Sequence, residues 1–289
     1  FQNLAAGQRA VLNVPVGPTY CLPTLYLRDA AGVAATLADI AAGITSIRVT
    51  VNGKEKVNVS GAEAVMRAQF FNNGSVAVGQ LPLYFAEPWM EIEARGADGR
   101  VEGGHINQDG PAWGTAGLNS MQIEVVIAAG AAGAEVVNME MLAIQTEPTE
   151  LGAHGVLLRQ TRSFAGTGTD RIIDVPRGTG GNGQDLILKA IHIADANISQ
   201  IELLADRSRL LFCTREFLHQ QYVTAQAGRR RTPQTGWTHI DFTGLRNRIG
   251  DALTLSMRDI ELALTFTVAP ADYDVLYEVI DVQPASAAR

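Results

Sequence analysis

The sequence predicts an all-β protein made of two tandem jelly-roll β-sandwiches, each carrying one short helix. Three observations predict it. The second half repeats the first in order, short apolar runs are separated by turn signals, and 29 glycines with 11 prolines punctuate the 289 residues as in a turn-rich β chain. The repeat opens with Asn13-Val14-Pro15-Val16-Gly17 against Asp174-Val175-Pro176-Arg177-Gly178, with Gly7 on Gly168 and Leu25-Tyr26-Leu27 on Leu186-Ile187-Leu188. Ile44, Ile47, Val49 and Gly74 then fall on Ile198, Ile201, Leu203 and Gly228, and Leu83-Tyr84-Phe85 on Ile240-Asp241-Phe242. Ser120-Met121 with Ile123-Glu124 matches Ser256-Met257 with Ile260-Glu261, and Met139-Glu140-Met141-Leu142 matches Tyr277-Glu278-Val279-Ile280. The offset changes only between these blocks, as loop insertions and deletions require. A chain of this length divides into two domains of ordinary size, expected at 1–148 and 149–289.

The first strands are expected at Arg9–Val14, Tyr20–Arg28 and Ile44–Val51. In the last of these Ile47, Val49 and Val51 alternate with Arg48 and Thr50, the period of a strand with one wet face. Asn52-Gly53 follows, a dipeptide that accepts positive φ at both central positions of a tight hairpin, and Lys54–Val59 returns. Ser60-Gly61-Ala62-Glu63 then reads as a capping box. Ala64, Val65, Ala68 and Phe71 continue at helical spacing, and Asn72-Asn73-Gly74 supplies residues that tolerate the left-handed conformation at a helix end.

The second copy does the same, with Thr214 as cap, Glu216 in the first turn and Phe217, Leu218, Gln221 and Tyr222 leading to Gly228. Strands are expected at Leu81–Phe85, Met121–Ile127 and Glu135–Gln145 in the first copy. In the second they are expected at Val156–Phe164, Trp237–Phe242, Leu253–Met257, Ile260–Val268 and Asp274–Val282. Glu147–Gly152 is the linker, and it is short enough to hold the domains side by side. Asp206-Arg207-Ser208 stands where the first copy has Asn52-Gly53-Lys54, so a different hairpin turn is expected there.

Composition excludes several functions. A formal charge of −7 opposes direct nucleic-acid binding, which needs a basic surface to release counterions. Arg229-Arg230-Arg231, the one basic cluster, reads as a solvated loop or an intersubunit ion pair. Cys21 and Cys213 lie in different halves, inside expected strands, and read as buried free thiols. No apolar run reaches the length of a membrane span, and no charged-then-apolar signal segment is visible.

Catalytic patterns are absent from the sequence. His105, His154, His192, His219 and His239 include no pair at helical i,i+4 spacing and no HExxH; His192, in an apolar strand, reads as a hydrogen-bonded core residue. No G-x-S-x-G elbow is present. Gly178–Gly183 lacks the Gly-Lys-Ser/Thr ending of a phosphate loop and leads into a strand, so it reads as a turn. Glu91 and Glu93, two apart, would share a strand face as a glycosidase pair does, but they read as an exposed acidic loop. Asp272 and Asp274 offer oxygen to calcium without any EF-hand pattern. Asn73-Gly74-Ser75 matches a glycosylation sequon. No catalytic, cofactor-binding or metal-ligating residue is assigned, and no enzymatic activity is expected.

Duplicated β domains, each with a hairpin, a capped helix and a Trp-Gly-Thr-type loop before a long strand, resemble the double jelly-roll major capsid proteins. Among these the layout is similar to the coat proteins of tailless, membrane-containing bacterial viruses of the PM2 type. The resemblance runs over nearly the whole chain and is carried by Val14–Tyr20, Ile47–Lys54, Leu81–Phe85 and Trp113–Thr115. It implies a homotrimer of roughly hexagonal outline that meets neighbouring capsid trimers and tiles an icosahedral shell. It also implies synthesis in the host cytoplasm, residence in the virion, and contact with minor vertex proteins, membrane-associated virion proteins and an internal membrane. A structural calcium is implied without ligands that can be placed on this sequence. Loops 86–112 and 225–234 would then form outer towers or contacts between trimers. Two other readings compete. A carbohydrate-binding or glycoside-active two-domain β-sandwich would use Trp89, Trp113 and Trp237 as a stacking platform, and a viral spike or accessory protein would share the fold without tiling.

Overall fold

The structure, a computed structural model, describes residues 1–2, 4–71, 75–85, 91–92, 105–106, 112–176, 186–224, 231–243, 252–254 and 259–281. The first half contains β1 (Arg9–Val14), β2 (Thr19–Arg28), α1 (Leu37–Gly43), β3 (Ile44–Val51), β4 (Lys54–Val59), α2 (Gly61–Phe71) and β5 (Gln80–Pro82). It continues with β6 (Glu91–Ile92), β7 (His105–Ile106), β8 (Trp113–Gly114), β9 (Met121–Ile127), α3 (Ala131–Ala134) and β10 (Asn138–Thr146). The second half runs β11 (His154–Phe164), β12 (Gly168–Ile172), β13 (Leu186–Ile193), β14 (Ile198–Ala205), β15 (Ser208–Thr214) and α4 (Arg215–Thr224). It ends with β16 (Thr238–Asp241), β17 (Leu253–Thr254), β18 (Ile260–Phe266) and β19 (Ala271–Asp281). Contacts divide the chain into one unit of Phe1–Pro88 with Asn107–Leu157 and a second of Trp89–Ile106 with Leu158–Val282.

Each unit is built on two main antiparallel sheets whose strand orders correspond, and the second also holds the short β6-β7 pair. The first unit has β1-β9-β3-β4 and β10-β2-β5, with β8 also on β2. The second has β12-β18-β14-β15, and β19-β13-β16 with β17 also on β13. The expected repeat is therefore a repeat of topology as well as of sequence. The inward faces alternate as the period of two requires: Ile47, Val49, Ile123 and Val125 are fully buried in one unit, and Ile201, Leu203, Leu262 and Leu264 in the other. Each such side chain contributes about 1.5–3 kcal/mol by leaving water.

The agreement extends to hairpin detail. Val49 and Thr50 flank a register shift against β4, and Leu203 and Leu204 flank one against β15. Asn52 and Gly53 have φ of 48° and 75°, Asp206 and Arg207 of 45° and 66°. The two turns are thus of one type, which corrects the expectation that Asp206-Arg207-Ser208 would turn differently. The first turn residue explains why. Asn52 donates its N–H to Ser120 O and its Oδ1 accepts from Asn119 and Ser120; Asp206 donates to Asp259 O and its Oδ1 accepts from Asp259 N. This clamp holds the turn against the strand entering β9 or β18, whatever the second residue. Arg207 therefore sits in left-handed space, which costs a non-glycine residue about 1–2 kcal/mol. Arg207→Gly is expected to raise the unfolding free energy by about 0.5–1 kcal/mol, the strain relief exceeding the extra chain entropy of glycine. A urea titration that finds the variant less stable than the parent chain would refute this.

The expected capping box is present: Glu63 N donates to Ser60 Oγ (3.2 Å) and Ser60 N to Glu63 Oε2 (2.6 Å). Thr214 Oγ1 accepts from Phe217 N (3.2 Å) at the start of α4. The first unit has two further helices. α1 has its own capping box, Thr36 with Asp39, and lies on α2, where a Cβ on Gly61 would come 2.5 Å from Ile40 O. No described helix is long and apolar enough to cross a membrane.

Candidate functional site

The feature that most resembles a reaction centre is a polar seam inside the second unit. β13, β16 and β19 are neighbours, and the register sets His192 opposite His239 and Ala190 opposite Glu278. Lys189, His192, His239 and Glu278 are all buried. Lys189 Nζ lies 2.5 Å from Glu278 Oε2, His192 Nε2 lies 3.0 Å from Glu278 Oε1, and His192 Nδ1 lies 2.8 Å from His239 Nδ1.

His239 Nε2 accepts the Gln234 N–H at 3.1 Å, and this assigns the neutral tautomers in turn. His239 donates from Nδ1, so His192 accepts at Nδ1 and donates from Nε2 to the carboxylate. His219 Nε2 accepts the N–H of His239 (3.2 Å). Burial, then the neighbouring His192, His219 and Arg215, depress the His239 pKa well below 6.5. Burial and Arg215 bring His219 down to about 4.

The seam is chemically closed. It begins at the buried Lys189 and ends at the Gln234 backbone amide, and each imidazole nitrogen of His192 and His239 on it has a partner. It cross-links three strands and does not present a nucleophile. The structure thus places His192 in the hydrogen-bonded core role read from the sequence. The depressed imidazoles also give a sign to acid stability. Below pH 6.5 the unfolded chain takes up protons that folded His219 and His239 refuse, so stability falls as pH drops from about 6.5 towards 4. Melting temperatures measured at pH 7.5 and 4.5 are expected to show this loss, and His219→Gln is expected to reduce it; equal slopes in the two chains would contradict the assignment.

A second buried ion pair corrects the reading of the basic triplet. Arg231 is not a solvated loop residue or an intersubunit one. It is almost fully buried, and its Nε donates to Asp241 Oδ2 at 2.9 Å. Asp241 Oδ1 accepts from Thr243 N (2.9 Å) and Thr243 Oγ1 (2.6 Å), and Asp241 N donates to Tyr222 OH (2.6 Å). Burial and the adjacent carboxylate raise the Tyr222 pKa well above 10. Arg229 and Arg230 lie outside the described residues.

The other singled-out residues do not converge. Trp113 is 1% exposed, stacked on Phe85 at 4.1 Å and edge-on to His154. It anchors the loop instead of offering a face to a sugar. Thr115 Oγ1 donates to Pro18 O (2.5 Å) and accepts from Gly17 N (2.8 Å), while Thr19 Oγ1 donates to Glu147 O (2.7 Å). The Trp-Gly-Thr loop and Thr19 thus hold residues 147–149 on the first unit. Trp237 is half-buried. Asp274 is engaged by Arg159 (2.8 Å) and Thr161 (2.6 Å). No cluster of three or more metal-binding side chains occurs among the described residues. Neither cysteine is in a disulfide; Cys21 is buried as expected, whereas Cys213 is only half-buried. Trp89, Glu93, Asn73 and Gly178–Gly183 lie outside the described residues, as do the side chains of Glu91 and His105.

The surface carries what the interior does not. In β10 Leu142 and Ile144 are 58% and 60% exposed, and in β15 Leu210 and Phe212 are 46% and 52% exposed. Both strands end their sheets. Sequence reasoning passed over these residues, although both strands are apolar on both faces, a pattern that marks strands covered twice.

Comparison with known proteins identifies the family and the fold. Family models describing the viral coat protein P2 N-terminal and C-terminal domains match residues 1–147 and 157–283. No curated protein sequence matches the chain significantly. Among solved structures, the major capsid protein P2 of bacteriophage PM2 is similar with a TM-score of 0.78 at 20% identity, covering 98% of this chain and 95% of that one. A structure from Sulfolobus Turreted Icosahedral Virus is similar at 0.65 and 13% identity, covering 99% and 92%. A PBCV-1 virus capsid model is similar at 0.56 and 9%, covering 96% and 91%. With both domain models matched in order along nearly its whole length, the chain belongs to the viral coat protein P2 family and is a double jelly-roll component of the virion shell.

Proposed function

We propose that the protein builds the shell as a homotrimer of roughly hexagonal outline, which tiles with neighbouring trimers. The observation that carries this reading is the duplication. Two units with matching strand orders give a trimer six similar corners, and repeated interfaces between similar corners propagate as a closed lattice. The bacteriophage PM2 and Sulfolobus Turreted Icosahedral Virus proteins are coat proteins of this fold, which supports the same use here. Minor vertex proteins, membrane-associated virion proteins and an internal membrane are the partners proposed for the trimer's remaining surfaces. The sugar-binding reading has less support, because its central indole, Trp113, is buried.

Light scattering of the purified protein tests the trimer. A mass near three times 30.9 kDa is expected, followed by hexagonal plates or closed particles in electron micrographs. A monomer at micromolar concentration would overturn the reading.

A further inference from the structure

We infer that the open edge of β15 in one copy and the open edge of β10 in the next form one heterologous interface between copies of this chain. The inference rests on the trimer reading above and specifies its contact.

The duplication supplies the argument, because each open edge has a counterpart that the chain itself closes. In the first unit the outer edge of β4 meets Leu157, which forms a parallel bridge to Val57. In the second unit β11 pairs along the outer edge of β19. The counterparts are β15, equivalent to β4, and β10, equivalent to β19. Among the described residues no strand lies beyond either of them.

The side chains follow the same division. The registers place Asn58 opposite Arg48 in the first unit and Phe212 opposite Glu202 in the second. Asn58 is held in a polar ladder, accepting from Ser46 Oγ (3.2 Å) and donating to Glu55 (3.1 Å). Phe212 at the equivalent place is an exposed aromatic ring, two residues from exposed Leu210. β19 is largely buried along its length, whereas the outward face of β10 exposes Leu142 and Ile144.

Long apolar edges are hazards that folded chains cover, and a head-to-tail ring covers both at once, each copy giving β15 to one neighbour and β10 to the other. A single accessory protein on one edge would leave the other bare. Charge and shape agree. Arg207 stands exposed at the turn into β15 and Glu140 on the outward face of β10. A hollow of about 450 Å³ bordered by Leu12, Pro15, Met141 and Leu142 lies beside β10, and Phe212, an exposed ring with Arg209 over one face, is an apolar side chain of a size to enter it.

Phe212→Asp and Leu142→Asp, each purified as the full chain, test the pairing by light scattering and thermal melting. Val33→Asp, at an exposed apolar residue away from both edges, is the control. The parent chain and the control are expected to run as trimers. Each edge variant is expected to fall to one third of that mass and to keep a single cooperative melting transition, lowered only by the loss of assembly. An equal mixture of the two variants retains one intact β15 and one intact β10, so it is expected to form a dimer and no ring.

Edge variants that remain trimeric would overturn the interface and leave the trimer standing. A monomeric parent chain would overturn both. Monomeric variants whose mixture stays monomeric would overturn the heterologous pairing. If the Asp variants melt early, Phe212→Ser and Leu142→Ser are read in the same way.

Discussion

Glu278→Ala is expected to destabilise the second unit by about 3–5 kcal/mol, the cost of breaking a buried ion pair from one side. The carboxylate holds Lys189 at 2.5 Å and the His192 Nε2 proton at 3.0 Å. Removing it leaves an ammonium 2% exposed without its counter-ion and an imidazole N–H without its acceptor. The charge, not the contact count, makes the loss large. Glu278→Gln combined with Lys189→Met removes both charges together. The amide oxygen still accepts from His192, so this double variant should recover most of the loss, since an apolar replacement of a buried pair is often close to neutral. Urea unfolding of the three chains decides the matter. A single variant that loses less than about 1 kcal/mol would show that the seam is not a stabilising unit.

Arg231→Ala is expected to cost a similar amount, about 3–5 kcal/mol, by leaving Asp241 buried with only the two Thr243 donors. Both side chains of this pair are 1% exposed or less. The ion pair of Arg9 with Glu124 provides the contrast, because its cation is exposed and the buried Glu124 carboxylate also faces Arg48 at 3.9 Å. Arg9 is 61% exposed, and Arg9→Ala is expected to cost less than about 1 kcal/mol. Equal thermal shifts for the two arginine variants would contradict the ranking. The pair also joins the chain after α4 to β16. Its loss should therefore open amide exchange at Thr238–Asp241 before it affects the sheet of β12, β14, β15 and β18.

The strands and caps were legible because their causes are local. The alternation in Ile44–Val51 marks a half-buried strand wherever it folds, and Ser60 with Glu63 caps a helix by reaching three residues along the chain. The α1 cap, Thr36 with Asp39, was equally legible and was passed over, because its apolar stretch is only two turns long. Glu135–Gln145 is expected as one strand, but β10 begins at Asn138 because Glu135 is the helical C-cap of α3 and Val136 N still bonds back to Gly133 O. The repeat made two domains and a coat-protein layout visible without any contact being known.

The second hairpin shows where local reasoning fails. Arg207 disfavours the left-handed region, yet the Asp206 clamp to Asp259, across more than fifty residues, imposes it. Arg231 shows the same failure in charge. A basic triplet in an acidic chain reads as solvent-facing until the fold brings Asp241 against it. The seam of Lys189, His192, His239 and Glu278 has no spacing that a sequence pattern could catch, since its members meet only through the register of three strands. The sequence by itself determined most of the strands, two helix caps and the duplication, because periodicity and capping act over a few residues, and the layout they give is what resembles a coat protein. Tertiary structure alone decided which charges are buried, which turn is strained and which two edges are left open, because each depends on residues far apart in the chain sharing one low-dielectric interior or one uncovered face.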